Sequence, residues 1–181
     1  MSEGSAFTPD WSPDGRVLFY QDWARAQIRA LSETGEVSSL VTSEGNLRTP
    51  RVSPDGGFIA YAADISGREE VYVVPFPEAD RRYTISTDGG YSPVWSRDGR
   101  ELFYVSDDRL MTVAVETADG FRPGTPRELF RGQFVRDNTA NYDVALDGER
   151  FVMVQSESAA EQRTILHFVL HFDEELRQRL P

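Results

Sequence analysis

DWSPDGRVLFY at residues 10–20 returns as RVSPDGGFIAY at 51–61, VWSRDGRELFY at 94–104 and DVALDGERFVM at 143–153. The turn aspartates Asp14, Asp55, Asp98 and Asp147 lie 41, 43 and 49 residues apart. A period of about 40–45 residues suits a four-stranded propeller blade. Each Asp-Gly pair stands between two apolar segments, a strong short-range hairpin signal. Gly15, Gly56, Gly99 and Gly148 tolerate positive φ, and each aspartate can bond the turn backbone. Pro13 and Pro54 preset φ at the turn entrance. Arg97 and Leu146 take their place in the last two repeats, so those turns are less constrained.

A near-continuous apolar run follows each turn: Val17 to Tyr20, Phe58 to Tyr61, Leu102 to Tyr104 and Phe151 to Val154. Runs without alternation predict strands covered on both faces. Side-by-side blades provide that cover. Further strands are expected at Gln27 to Leu31 and Val37 to Val41, at Glu70 to Pro75 and Arg82 to Ser86, and at Leu110 to Val115 and Pro126 to Phe130. The Gly- and Pro-bearing stretch Thr117 to Thr125 is expected as a wider connection. The last repeat offers one long strand, Arg163 to Phe172, and then DEELRQRL. That end reads as a short C-terminal helix with Asp173 as N-cap. The fold class expected is therefore all-β: a propeller of four-stranded antiparallel blades, at about 8–47, 48–91, 92–138 and 139–172, with a helical end at 173–181. The last blade lacks a fourth strand.

The chain has 181 residues, 39% of them hydrophobic and 12% aromatic, which is too much for a disordered tail. With 19 basic and 30 acidic residues the net charge is -11. Such a surface repels phosphate backbones and anionic lipid, which argues against a nucleic-acid partner. No run approaches the ~20 apolar residues of a membrane helix, so no membrane insertion by this chain is expected. The absence of cysteine excludes disulfides, thiolate zinc sites and a cysteine nucleophile.

No catalytic residue, metal or cofactor is expected. His167 and His171 lie in a predicted strand, where residues four apart are roughly 13 Å apart, too far to share one metal. No G-x-S-x-G elbow exists. The turn aspartates recur at one point of each blade and so do not converge on a substrate. Trp11 and Trp95 occupy equivalent places, with Val52 and Val144 in the other repeats, and are expected to pack between blades. Trp23 has no aromatic counterpart and is a candidate interface anchor. Binding on propellers uses loops at one end of the channel. The loops joining strands two and three, and blade to blade, hold Trp23, Arg25, Arg48, Arg68, Tyr91, Arg109, Arg136 and Tyr142. Five arginines there, in an acidic chain, suit a carboxylate or a peptide backbone. Pairing with nearby acids is the plain alternative.

SPDG followed by an apolar strand resembles the TolB-type, WD-repeat-like propeller repeat. The order from YVVPFP, through STDGGYSPVWSRDGRELFYVSDDRLMTVAVET, to NYDVALDGERFVMV and VLHFDEELRQRLP resembles the C-terminal propeller end of bacterial serine/threonine protein kinases. It covers about Thr8 to Pro181. The resemblance implies a sensor or interaction domain. Kinase motifs are absent, so it implies no kinase activity. It also implies a place outside the cytoplasm if a membrane-spanning kinase precedes the module, and otherwise a cytoplasmic one. The function expected is non-catalytic protein or peptide binding. The alternatives are a substrate-gating propeller of a peptidase-like enzyme and a self-assembling fragment.

Propellers remove sheet edges by closing a ring. Four repeats suggest a partial ring, or half of a homo-oligomeric ring made by a dimer of four-blade halves. In that dimer the missing strand of blade 4 is expected from Glu3 to Phe7 of the partner.

Overall fold

The computed structural model describes residues 6–136, 141–155 and 165–169. Four antiparallel sheets follow one another along the chain. Blade 1 is β1 (Ala6–Trp11), β2 (Val17–Asp22), β3 (Gln27–Ser32) and β4 (Val37–Thr42). Blade 2 is β5 (Leu47–Val52), β6 (Phe58–Ala63), β7 (Glu70–Pro75) and β8 (Tyr83–Thr84). Blade 3 is β9 (Tyr91–Trp95), β10 (Glu101–Ser106), β11 (Arg109–Glu116), β12 (Arg122–Pro123) and β13 (Arg127–Arg131). Blade 4 is β14 (Tyr142–Val144), β15 (Phe151–Gln155) and β16 (Ile165–Val169). Each strand pairs with the next in simple up-and-down order, except that β12 and β13 both pair with β11.

The first hairpin of each blade is closed by the quoted phrase. The Ser12 hydroxyl donates to Asp14 at 2.6 Å, and Asp14 accepts from the Arg16 amide at 3.1 Å. The same pattern holds Ser53, Asp55 and Gly57, and Ser96, Asp98 and Arg100. Gly15, Gly56, Gly99 and Gly148 have φ of 73°, 76°, 71° and 74°, a region that a Cβ disfavours. Ala145 replaces the serine in blade 4, where Asp147 accepts from the Glu149 amide and pairs with Arg150. The serine hydroxyls and backbone amides hold Asp14 and Asp98 below the ordinary carboxylate range.

The inner strands share a second device. Thr8, Thr49 and Ser92 have φ of 45°, 46° and 51°, and each precedes a proline. The strand register shifts at each of these points. Proline cannot donate to the ladder, so the pairing skips there and the inner strand bends.

Packing between blades follows a period of two, because strand side chains alternate faces. Four and six residues after the turn aspartate, Ile59 and Tyr61 of blade 2 pack back on Phe19 and Ile28 of blade 1. Leu102 and Tyr104 of blade 3 pack on Ala60, Val71 and Val73 of blade 2. Phe151 and Met153 of blade 4 pack on Phe103, Val105 and Leu110 of blade 3. Five residues after the aspartate, Phe19, Ala60 and Phe103 face forward into these same layers. The repeated core is thus three apolar layers between four sheets.

Several expectations need correction. Trp95 is 7% exposed and donates its indole N–H to the Arg51 carbonyl at 3.0 Å, so it packs between blades as expected. Trp11 is 58% exposed. Its side chain is on the face of blade 1 away from blade 2, and among the described residues no further sheet packs there. Four of the expected loop residues lie in strands: Arg48 in β5, Arg109 at the start of β11, and Tyr91 and Tyr142 at the starts of β9 and β14, where both tyrosines are buried. Ala6 and Phe7 already pair with Asp22 and Gln21, so that part of Glu3 to Phe7 is not free for donation. Thr117 to Thr125 is more than a connection. It supplies β12 and the buried Phe121, whose ring lies 4.9 Å from Tyr83 and 5.2 Å from Phe58. Arg82 to Ser86 shortens to the two residues of β8. The C-terminal helix at 173–181 lies outside the described residues.

Candidate functional site

At the end of the array opposite the Asp-Gly turns, the strand-two to strand-three connections meet the blade-to-blade loops. In blade 1 that connection is a single 3-10 turn, Trp23–Arg25, capped by the Asp22 carboxylate, which accepts from the Arg25 amide. The turn leaves the Trp23 ring 42% exposed. Phe7 meets it edge-to-face at 6.2 Å. The Arg48 guanidinium lies 5.4 Å from the centre of the Trp23 ring, within cation–π range.

Glu69 ties this pair to the next blades. Its carboxylate is 3.6 Å from Arg48 and 2.8 Å from Arg136. Arg136 in turn lies 4.8 Å from the centre of the Tyr91 ring. Trp23, Arg48, Glu69, Arg136 and Tyr91 therefore form one chain of contacts reaching from blade 1 to blade 3 and the loop beyond it. Burial raises the Tyr91 hydroxyl above its ordinary pKa, against the pull of Arg136.

A second group sits between blades 2 and 3. Asp88 pairs with Arg68 at 3.1 Å and with Arg109 at 3.4 Å. Those two arginines hold Asp88 below its ordinary range. Arg68 also donates to Glu70, a buried carboxylate that accepts from the Ser86 hydroxyl and the Gly89 amide as well. Arg25 stands apart and pairs with Asp22 together with Arg29, at 2.8 and 3.2 Å. Tyr142 is elsewhere, fully enclosed, and donates its hydroxyl to the Ser92 carbonyl at 2.8 Å.

Of the eight residues singled out from sequence, the structure gathers Trp23, Arg48, Tyr91 and Arg136 into one cluster and Arg68 and Arg109 into another. The acids that organise both, Glu69, Glu70 and Asp88, were missed. The signal was present in GREEVYVV, where two adjacent acids enter an apolar strand. Alternation must send one toward each face.

Asp22 allows a pH prediction. Burial pushes its carboxyl up, but bonds and charge from Arg25 and Arg29 outweigh this, so its pKa lies below the ordinary 3.8. A lowered folded pKa gives stability that is present above the unfolded value and lost as pH falls through the folded one. The melting midpoint should therefore fall steeply below about pH 4. Asp22→Asn should be less stable at pH 7 and should lose less between pH 4 and 2.5, read by thermal circular dichroism.

At the turn end, the inner strands of all four blades line a cavity of about 840 Å³ that carries Asp10, Arg51, Trp95, Arg97, Asp143 and Leu146. Asp10 accepts from the Val52 amide at 2.8 Å and so joins blade 1 to blade 2. Among the described residues, no three His, Asp or Glu side chains are grouped to hold a metal ion. No helix among them is long and apolar enough to cross a membrane.

TolB from Acinetobacter baumannii matches with a TM-score of 0.65 at 18% identity, over 90% of this chain and 41% of that one. The fold is a TolB-like β-propeller. The β-propeller domain of Cps50 (Swd1) from Myceliophteria thermophila matches this TolB-like array with a TM-score of 0.61 at 13% identity, over 84% of this chain and 54% of that one. At these identities the likeness is one of fold alone. No family model matches the chain. The uncharacterized protein Atu1656 of Agrobacterium fabrum is 29% identical over 159 residues, which are 80% of this chain. The chain spans 53% of the length of that curated relative.

Proposed function

We propose that this TolB-like propeller is a non-catalytic module that binds a protein or peptide at its loop end, as the sensor or interaction part of a larger bacterial signalling protein. The observation that carries the reading is the contact chain Trp23, Arg48, Glu69, Arg136 and Tyr91 across three blades. An exposed tryptophan flanked by a second aromatic and an arginine has the composition of an interface anchor. Each guanidinium has five donors, and Glu69 with one ring uses only part of that capacity. The remaining donors suit a carboxylate or peptide carbonyls. Glu69 also fixes both arginines in advance, which lowers the entropy cost of binding.

Selection of a random peptide library on the immobilised chain tests this. The enriched peptides should bind with Kd in the micromolar range, and Trp23→Ala and Arg136→Ala should each weaken them by at least about tenfold. Melting should fall only modestly, because Trp23 is 42% exposed and the Arg136 side chain is 59% exposed. Selected peptides that bind both variants as tightly as the parent would refute the loop-end site.

A further inference from the structure

The chain has no lysine, so its 19 basic residues are all arginine, and 30 acids outnumber them. Most described arginines accordingly pair with a carboxylate. Among the described residues Arg51, Arg81, Arg82 and Arg97 do not. Arg81 is exposed, and Arg82 lies over the Tyr72 ring at 5.0 Å. Arg51 and Arg97 both line the cavity at the turn end, and neither guanidinium donates a hydrogen bond to a described residue. In so acidic a chain, two cations without acids in one cavity leave room for an outside anion.

The setting is built by the middle of the array. Arg51 is in β5 of blade 2, and Arg97 stands just past β9 of blade 3. Both blades are packed between neighbours. The Arg51 carbonyl accepts the Trp95 indole N–H at 3.0 Å, and the next amide, of Val52, donates to Asp10 at 2.8 Å. The strand that carries Arg51 is thus held from both sides, while Arg51 itself is half-buried. Burial raises the Tyr142 hydroxyl pKa and the Arg51 charge lowers it, so that charge acts past the inner strand of blade 3. Val52, Val94 and Val144 add an apolar wall from three successive blades, and Asp10 and Asp143 share the cavity.

We propose that this cavity binds a carboxylate ligand with an apolar body, its carboxylate held by Arg51 and Arg97 and its body against Val52, Val94 and Val144. The site lies at the opposite end of the array from the loop-end cluster and does not depend on it. A guanidinium drawn partly out of water needs an anion, and its planar donors match a carboxylate in pairs. Asp10 and Asp143 repel added negative charge, which favours a monocarboxylate over a doubly charged phosphate ester. The cavity volume, about 840 Å³, is that of small-molecule sites. A free organic acid and the C-terminus of a peptide offer the same chemistry.

Nuclear magnetic resonance titration of the whole nitrogen-labelled chain tests the proposal with hexanoate, hexanamide, hexyl phosphate and N-acetylated alanyl-alanyl-leucine. Hexanoate should saturate with Kd of about 1 mM or below, shifting the Arg51 and Arg97 Nε–H signals and the Trp95 indole N–H. Hexanamide and hexyl phosphate should bind at least about tenfold more weakly. The tighter of hexanoate and the peptide identifies the source as a free acid or a peptide C-terminus. Arg97→Gln changes an exposed side chain, and it and Arg51→Gln should each weaken hexanoate at least about fivefold. Arg81→Gln removes the same charge outside the cavity and should leave hexanoate binding unchanged. Equal affinity for hexanoate and hexanamide would overturn the proposal. So would hexyl phosphate binding as tightly as hexanoate, no saturation by about 20 mM hexanoate, or hexanoate binding that Arg97→Gln leaves intact.

Discussion

Trp95→Ala should cost about 3–5 kcal/mol, the range for deleting a buried aromatic. For a domain of this size that lowers the melting midpoint by roughly 10 °C. Two losses combine. The ring fills the layer between blades 2 and 3 beside Leu102, Tyr104 and Phe121, and its removal leaves a void. The Arg51 carbonyl also loses its donor. Trp11→Ala is the internal control, since the same residue type at the same repeat position is mostly in water. It should cost less than about 1 kcal/mol. Urea unfolding of the two variants, with equal m-values, measures the contrast. Similar losses would mean that both tryptophans are buried alike, and the described order of blades would be wrong.

Glu70→Ala should be the second large loss, about 2–3 kcal/mol. Glu70 is buried at the start of β7 and accepts from Ser86, Gly89 and Arg68. Ser86 in turn receives the Val71 amide at 2.8 Å, so the carboxylate holds the turn into β8 against the strand. The Arg68 contribution is discounted because its side chain is half in water and screened. Most of the cost comes from leaving the Ser86 hydroxyl and the Gly89 amide without their acceptor. Glu69→Ala, one residue earlier, should do the reverse. It should cost less than Glu70→Ala, because Arg136 is more than half in water and Arg48 keeps its contact with the Trp23 ring, and should weaken peptide binding by freeing Arg48 and Arg136. Chemical unfolding and peptide titration on both variants separate the two roles.

The blade plan was legible because three local signals agree. The Asp-Gly turns set the hairpins, the apolar runs set the doubly covered strands, and the period set four copies. Glu70 to Pro75 came out with the expected bounds for this reason. Trp11 departs from the expectation because equivalence between repeats says which way a side chain faces, not whether anything packs against it. The strand positions of Tyr91 and Tyr142 are not legible in the sequence, because the break in pattern at the inner strands hides where each strand begins. In blade 3, Ser92 and Pro93 break the apolar pattern just where β9 is already paired. The site was legible only in its cations. Their partners Glu69 and Asp88 come from blade-to-blade geometry, and a sequence does not show which loop lies beside which.

The central claim is that each sheet is shielded by its neighbours, so that the middle blades are covered on both faces and the outer blades on one. Hydrogen exchange read by mass spectrometry tests it most directly. The account predicts the slowest exchange in β6, β7, β10 and the first half of β11, approaching the global opening limit, and exchange in β4 and β1 faster by at least about a hundredfold. Protection in Val37–Thr42 equal to that in Phe58–Ala63 would contradict it.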